Sequence, residues 1–150
     1  PHHFLSVTKE GRTAIFNSTG NEYCHIILRG GTNQPNYSSE HVQKSSDMLE
    51  KAGLRANIMI DFSHANSHKT PSRQREVCAD VCSQLAASEQ RVFGVMIESN
   101  LVAGNQNVVE GRPLTYGQSI TDGCIDWAET EQLCRGLANA IRSRRTLRAA

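Results

Sequence analysis

No stretch of this chain stays apolar for the roughly 20 residues that cross a bilayer, so no membrane-spanning helix is expected. Charge of one sign is also missing. The chain has 16 basic and 15 acidic residues and a net charge of +1, which creates no global field to gather nucleic acid or an anionic membrane. The phosphate-cradling patterns G-x-G-x-x-G and G-x-x-x-x-G-K-[ST] are absent. So is a basic segment followed by an apolar one at the N-terminus, and no secretory leader is expected. No linker or low-complexity tract divides the 150 residues, which are read as one domain, 1–150. The five cysteines, Cys24, Cys78, Cys82, Cys124 and Cys134, are odd in number and scattered, which argues against a disulfide framework. Reduced thiols in a cytoplasmic protein are the expectation.

What is present is a repeating α/β pattern. Three short apolar runs have strand length: "HIILRGG" (25–31), "NIMIDFSH" (57–64) and "RVFGVMIES" (91–99). They are continuous more than alternating, as in parallel strands buried on both faces. Helical segments separate and follow them. The segment 38–53 opens on Ser38 or Ser39 as N-cap and closes on Gly53. In 72–88, Val77, Cys78, Val81, Cys82 and Leu85 form one stripe. Cys78 and Cys82 there suit either small buried apolar residues or a thiolate pair for a metal. The segment 126–145 starts with Asp126 and Glu129 spaced as a capping box and ends in a basic turn, read as a solvated helix end or an anion site. Residues 100–125 read as a long loop. Near the start, "FLSVTKEGRTAIFNSTGNE" reads as a strand and short hairpin with turns at Glu10-Gly11 and Gly20-Asn21.

So few parallel strands leave raw edges. Two closures are open: a compact doubly wound, flavodoxin-like sheet, or part of a (β/α)8 barrel, which takes about 250 residues when complete. In both, chemistry belongs at the C-terminal strand ends. There the sequence places Arg29 before two glycines, His64 after Ser63, Glu98, and in the following loop Asp122. A guanidinium beside glycines suits a phosphate or carboxylate. One imidazole with two carboxylates suits a divalent ion such as Mn, Fe, Co or Zn. The bland alternatives are a hydrogen-bonded His64, a Glu98–Arg29 pair and an Asp122 that caps a turn.

At these residues the chain resembles a known family. The segments "GNEYCHIILRGG", "PNYS", "MIDFSHANS", "GVMIESNLVAGNQ", "LTYGQSITDGCIDW" and "LANAIRSRR" look, in order, like those of the type I 3-deoxy-D-arabino-heptulosonate 7-phosphate (DAHP) synthases of the shikimate pathway and aromatic amino acid biosynthesis. The resemblance implies the C-terminal part of a (β/α)8 TIM barrel, about strands 6–8 with their helices, carrying a short β-hairpin insertion near Pro1. It implies a condensation of phosphoenolpyruvate with erythrose 4-phosphate and water that yields DAHP and phosphate, with a divalent metal. It further implies His64, Glu98 and Asp122 as metal ligands, with Asp122 also near substrate. Arg29 is implied on the phosphoenolpyruvate phosphate. His64 is implied close to that substrate, and the proton transfers of the reaction have two candidates, metal-bound water or His64 as a catalytic group. Ser6 falls in the region where family members bind an inhibitory aromatic amino acid, and Phe16 stands where relatives often carry a smaller apolar residue; simple packing is the alternative for both. The family's G-P-C-S, K-P-R-T and G-F-K-N-G motifs are absent. The chain is therefore expected to hold about half of an active site and to be inactive alone. It is expected to need the N-terminal barrel half as a partner and to be part of a homo-oligomer. The contrasting expectation is a non-catalytic barrel fragment or interaction module.

Overall fold

A computed structural model describes residues 1–32 and 34–149. Strands β1 (His2–Val7) and β2 (Thr13–Ser18) form an antiparallel hairpin, with Phe4 directly opposite Phe16. Gly11, at φ +77°, makes its turn, and Thr8 and Arg12 close it with a 2.8 Å backbone hydrogen bond. The hairpin is a sheet of its own.

The three apolar runs become the parallel strands β3 (Ile26–Leu28), β4 (Ile58–Asp61) and β5 (Val92–Met96), in the order β3-β4-β5. Helix α1 (Ser39–Lys51) joins β3 to β4, and α2 (Gln74–Ala86) joins β4 to β5 after one 3-10 turn at Pro71–Arg73. Alternation along β4 sends Ile58, Ile60 and the following Phe62 to one side, where all three are fully buried. They cluster with Val42 of α1 and with Val77, Val81 and Leu85 of α2. Leu133 and Ala140 of α3 (Trp127–Ala149) complete that core. Each aliphatic side chain so buried contributes about 1.5–3 kcal/mol.

The other side of the sheet is uncovered: Ile27 and Phe93 are 50% and 54% exposed. Burial on both faces, expected from the continuous runs, is therefore not met within this chain. The described helices supply one layer, and a doubly wound sheet needs two. The loop expected over 100–125 is partly ordered by a short parallel pair, β6 (Val102–Asn105) with β7 (Gln118–Ser119). No described helix is long and apolar enough to cross a membrane.

Helix ends follow the sequence with two exceptions. Gly53, at φ +71°, ends α1 in the expected way, with Gly53 N–H on Glu50 O and Leu54 N–H on Leu49 O at 2.9 Å each. Ser38 holds the N-cap position, but its hydroxyl meets the His41 ring rather than a backbone N–H. The capping box of α3 is half made. Asp126 Oδ1 accepts the Glu129 N–H at 2.8 Å, while Glu129 Oε1 is buried without a partner. Of the terminal arginines, Arg144 donates to Glu89 O at 2.8 Å, so one of them is a tie and not a free anion site.

Candidate active site

Parallel strands deliver their C-terminal ends to one rim, and the polar residues expected there converge. Arg29 follows β3, Ser63 and His64 follow β4, and Glu98 follows β5. Together with Lys69, Asp122 and Gly123 they line one pocket of about 330 Å³.

The turn after β4 aims His64. Ser67 N–H returns to Ser63 O at 3.2 Å and Lys69 N–H to His64 O at 2.8 Å. To close so tightly, His64, His68 and Lys69 take left-handed φ values of 50°, 51° and 58°. Each such residue costs about 1–2 kcal/mol. Buried Asn66 offsets part of this by stitching two strand ends together. Its amide donates to Leu28 O at 3.0 Å and to Asp61 O at 2.7 Å, and its carbonyl accepts the Asn36 N–H at 2.8 Å. Asn36 in turn accepts the Gly30 N–H at 2.7 Å. Gly30, at φ +87°, lies so close that an added Cβ would sit 2.5 Å from Ala65 Cβ and 2.9 Å from Asn66 N. The Arg-Gly turn thus fits against the His64 turn only with glycine.

Glu98 is held from two sides. Ser63 Oγ donates to its Oε2 at 2.5 Å, and buried Gln74 clasps its main chain. Asp122 arrives by a hook: Ile125 N–H donates to Glu98 O at 3.0 Å, and Cys124 pairs with Gly104 through two backbone hydrogen bonds. His64 Nδ1 lies 2.7 Å from Asp61 Oδ2, and its Nε2 faces Glu98 Oε1 at 3.8 Å.

One donor atom from each of His64, Glu98 and Asp122 lies within 4.8 Å of the other two, and among the described residues this is the group with the arrangement of a metal site. Two donors about 2.1 Å from a shared ion sit roughly 3–4 Å apart. The imidazole–carboxylate set therefore fits a divalent ion with little closing. No cysteine joins the group. Cys78 and Cys82 are packing residues: their sulfurs are 3.9 Å apart, and burial, helped by Cys82, pushes the Cys78 thiol up to about 12. Burial also raises Cys124, beside the rim.

Arg29 is exposed at the pocket wall, with no carboxylate within ion-pair distance among the described residues, so the alternative Glu98–Arg29 pair is not formed. Ser6 lies in the hairpin, apart from the rim. It is opposite Ala14, on the face that carries the Phe4–Phe16 stack with centroids 5.8 Å apart. Sequence reasoning missed Lys69, Asp61, Asn66 and Gln74. The dense Ser/Asn run after Phe62 signals a tight polar turn and could have pointed to Asn66 and Lys69. Nothing local marks Gln74.

An α/β segment with a carboxylate–imidazole cluster and a cation at its strand ends has its polar groups where a (β/α)8 barrel carries its chemistry. The comparisons narrow the class: residues 1–135 match the DAHP synthetase I family, and the chain belongs to it. The Phe-sensitive phospho-2-dehydro-3-deoxyheptonate aldolase of Escherichia coli K12 is 59% identical over 145 residues, which are 97% of this chain and 41% of that protein. A Trp-sensitive E. coli aldolase of that name is 45% identical over 143 residues, again 41% of its length. The solved structure of the Francisella tularensis aldolase superposes with a TM-score of 0.85 at 53% identity, over 96% of this chain and 42% of that one. The chain thus has the fold of a part of the family's β/α barrel and spans about two fifths of the relatives it matches.

Proposed function

We propose that this chain supplies the metal-holding and phosphate-holding part of a DAHP synthase, with His64, Glu98 and Asp122 on the ion and Arg29 on the phosphate of phosphoenolpyruvate. The convergence of these four residues on one rim pocket, in a chain of this family, carries the reading. The reaction is the condensation of phosphoenolpyruvate with erythrose 4-phosphate and water to DAHP and phosphate. Held by His64, Glu98 and Asp122, a divalent ion such as Mn, Fe, Co or Zn would supply Lewis-acid polarisation of the aldehyde.

The chain's own residues do the rest of the work assigned to this half. Arg29 presents parallel N–H donors to the phosphoryl oxygens and offsets their charge as the group leaves. Lys69, lining the same pocket, is a second cation beside Arg29, facing the two carboxylates Glu98 and Asp122. Ser63 and Gln74 keep Glu98 from swinging away. Asp122 stands where the aldehyde end of the second substrate would meet the site. The barrel segments carrying G-P-C-S, K-P-R-T and G-F-K-N-G complete both substrate sites, and without them the chain makes no DAHP. The open sheet face, with Ile27 and Phe93, is where that half packs, and copies of the completed barrel associate. The hairpin around Ser6 serves the aromatic effector.

The test joins this chain to the N-terminal portion of the Phe-sensitive E. coli relative and assays DAHP formation. Activity in the hybrid that is lost on His64→Ala is the expected result. A folded hybrid with no activity overturns the proposal.

A further inference from the structure

Asp61 is a buried carboxylate, 3% exposed, at the end of an apolar strand, and the chemistry above gives it no task. A side chain there that served packing alone would be apolar, because a buried carboxylate costs several kcal/mol unless its oxygens are partnered. Each of its oxygens has one clear neighbour. Oδ1 accepts the Ser63 N–H at 2.8 Å, and Oδ2 lies 2.7 Å from His64 Nδ1. The approach is bent away from an in-line N–H···O hydrogen bond, and Nδ1 makes no in-line hydrogen bond elsewhere among the described residues. A neutral imidazole carries one N–H and one lone pair, and the nitrogen that faces an acceptor keeps the hydrogen. That leaves the lone pair on Nε2, the nitrogen turned toward Glu98 Oε1 at 3.8 Å and into the candidate ion site.

We propose that Asp61 is a positioning residue that holds His64 in its Nδ1–H tautomer and so presents the Nε2 lone pair to the space shared with Glu98 and Asp122. Its use for an ion rests on the metal reading above; the tautomer itself does not. The two Asp61 oxygens serve the two ends of one device. The Ser63 amide fixes the carboxylate, and the carboxylate fixes the ring that Ser63 precedes. Partners of this kind behind a ligating histidine contribute about 10–100-fold in metal affinity.

The experiment is a long-range ¹H–¹⁵N correlation spectrum of the imidazoles in the ¹⁵N-labelled chain at pH 8, with His64 assigned by its loss in His64→Gln. A Zn²⁺ titration follows. The expected result is an Nδ1–H tautomer before zinc and movement of the Nε2 resonance on its addition. Asp61→Ala should give a mixed or Nε2–H tautomer and a 10–100-fold weaker zinc affinity. Asp61→Asn guards against loss of fold. It keeps the shape but has one oxygen for two donors, and its amide spectrum reports folding. A tautomer shift in that folded variant supports the proposal. An Nε2–H tautomer in the unmodified chain overturns it, as does a tautomer indifferent to both substitutions. An Asp61-dependent Nδ1–H tautomer in a chain that binds no zinc supports the positioning role and overturns the metal reading instead.

Discussion

Gln74 and Glu98 are joined by a two-way clasp. The Gln74 amide Nε2 donates to Glu98 O and its Oε1 accepts from Glu98 N–H, both at 2.9 Å, with Gln74 fully buried at the start of α2. The amide does for Glu98 what a neighbouring strand would do. Gln74→Ala leaves the Glu98 N–H without its partner and the Glu98 carbonyl with the Ile125 N–H alone, so a loss of about 1–3 kcal/mol in urea unfolding is expected. Mn²⁺ affinity should fall with it, because Glu98 loses its fixed backbone.

Gly30 and Ala65 set a second expectation. Gly30→Ala places a methyl within 2.5 Å of Ala65 Cβ at a φ of +87°. The two turns must separate, taking Arg29 from His64. Thermal unfolding at a clearly lower temperature and a higher KM for phosphoenolpyruvate in the hybrid enzyme are expected. An unchanged melting curve would refute the close fit.

Glu89 and Arg91 give the acid response. The Arg91 guanidinium, bonded to Glu89 at 2.6 and 2.8 Å, holds that carboxyl below its ordinary 4.5. Because the folded value is depressed, the stabilisation is present above about pH 4.5 and is lost as pH falls through the lower folded value. Glu89→Gln should cost about 1–2 kcal/mol at pH 7 and flatten the fall in stability below pH 4.5. Unfolding midpoints between pH 3 and 7 check this.

Thiol reactivity separates the cysteines. Cys24 and Cys134 are exposed, and Cys78 is buried with its thiol raised to about 12. Iodoacetamide at pH 8 should label the first two and spare Cys78 until denaturant is added, which peptide mass spectrometry resolves. Early labelling of Cys78 would contradict its place in the core.

Arg29, His64, Glu98 and Asp122 were legible because each directly follows an apolar run or its loop, and parallel strands must bring such ends together. The hairpin was legible from its turn glycines. The β6–β7 pair was not: four residues and two residues are too short to show a period, and long-range pairing alone forms them. Asp61 passed as one more strand residue and Gln74 as an ordinary helix polar residue, since their roles exist only where distant segments meet. The doubly wound alternative could not be dismissed until Ile27 and Phe93 were found uncovered, because a continuous apolar run reads alike whether its second cover is a helix or another part of a barrel.

Mn²⁺ binding followed by the loss of its free electron paramagnetic resonance signal tests the central claim most directly. One ion per chain is expected, with affinity falling at least tenfold, about 1.4 kcal/mol, on His64→Ala, Glu98→Ala or Asp122→Ala. Binding that is absent from the folded chain, or that all three substitutions leave unchanged, would contradict the assignment of these residues to a metal.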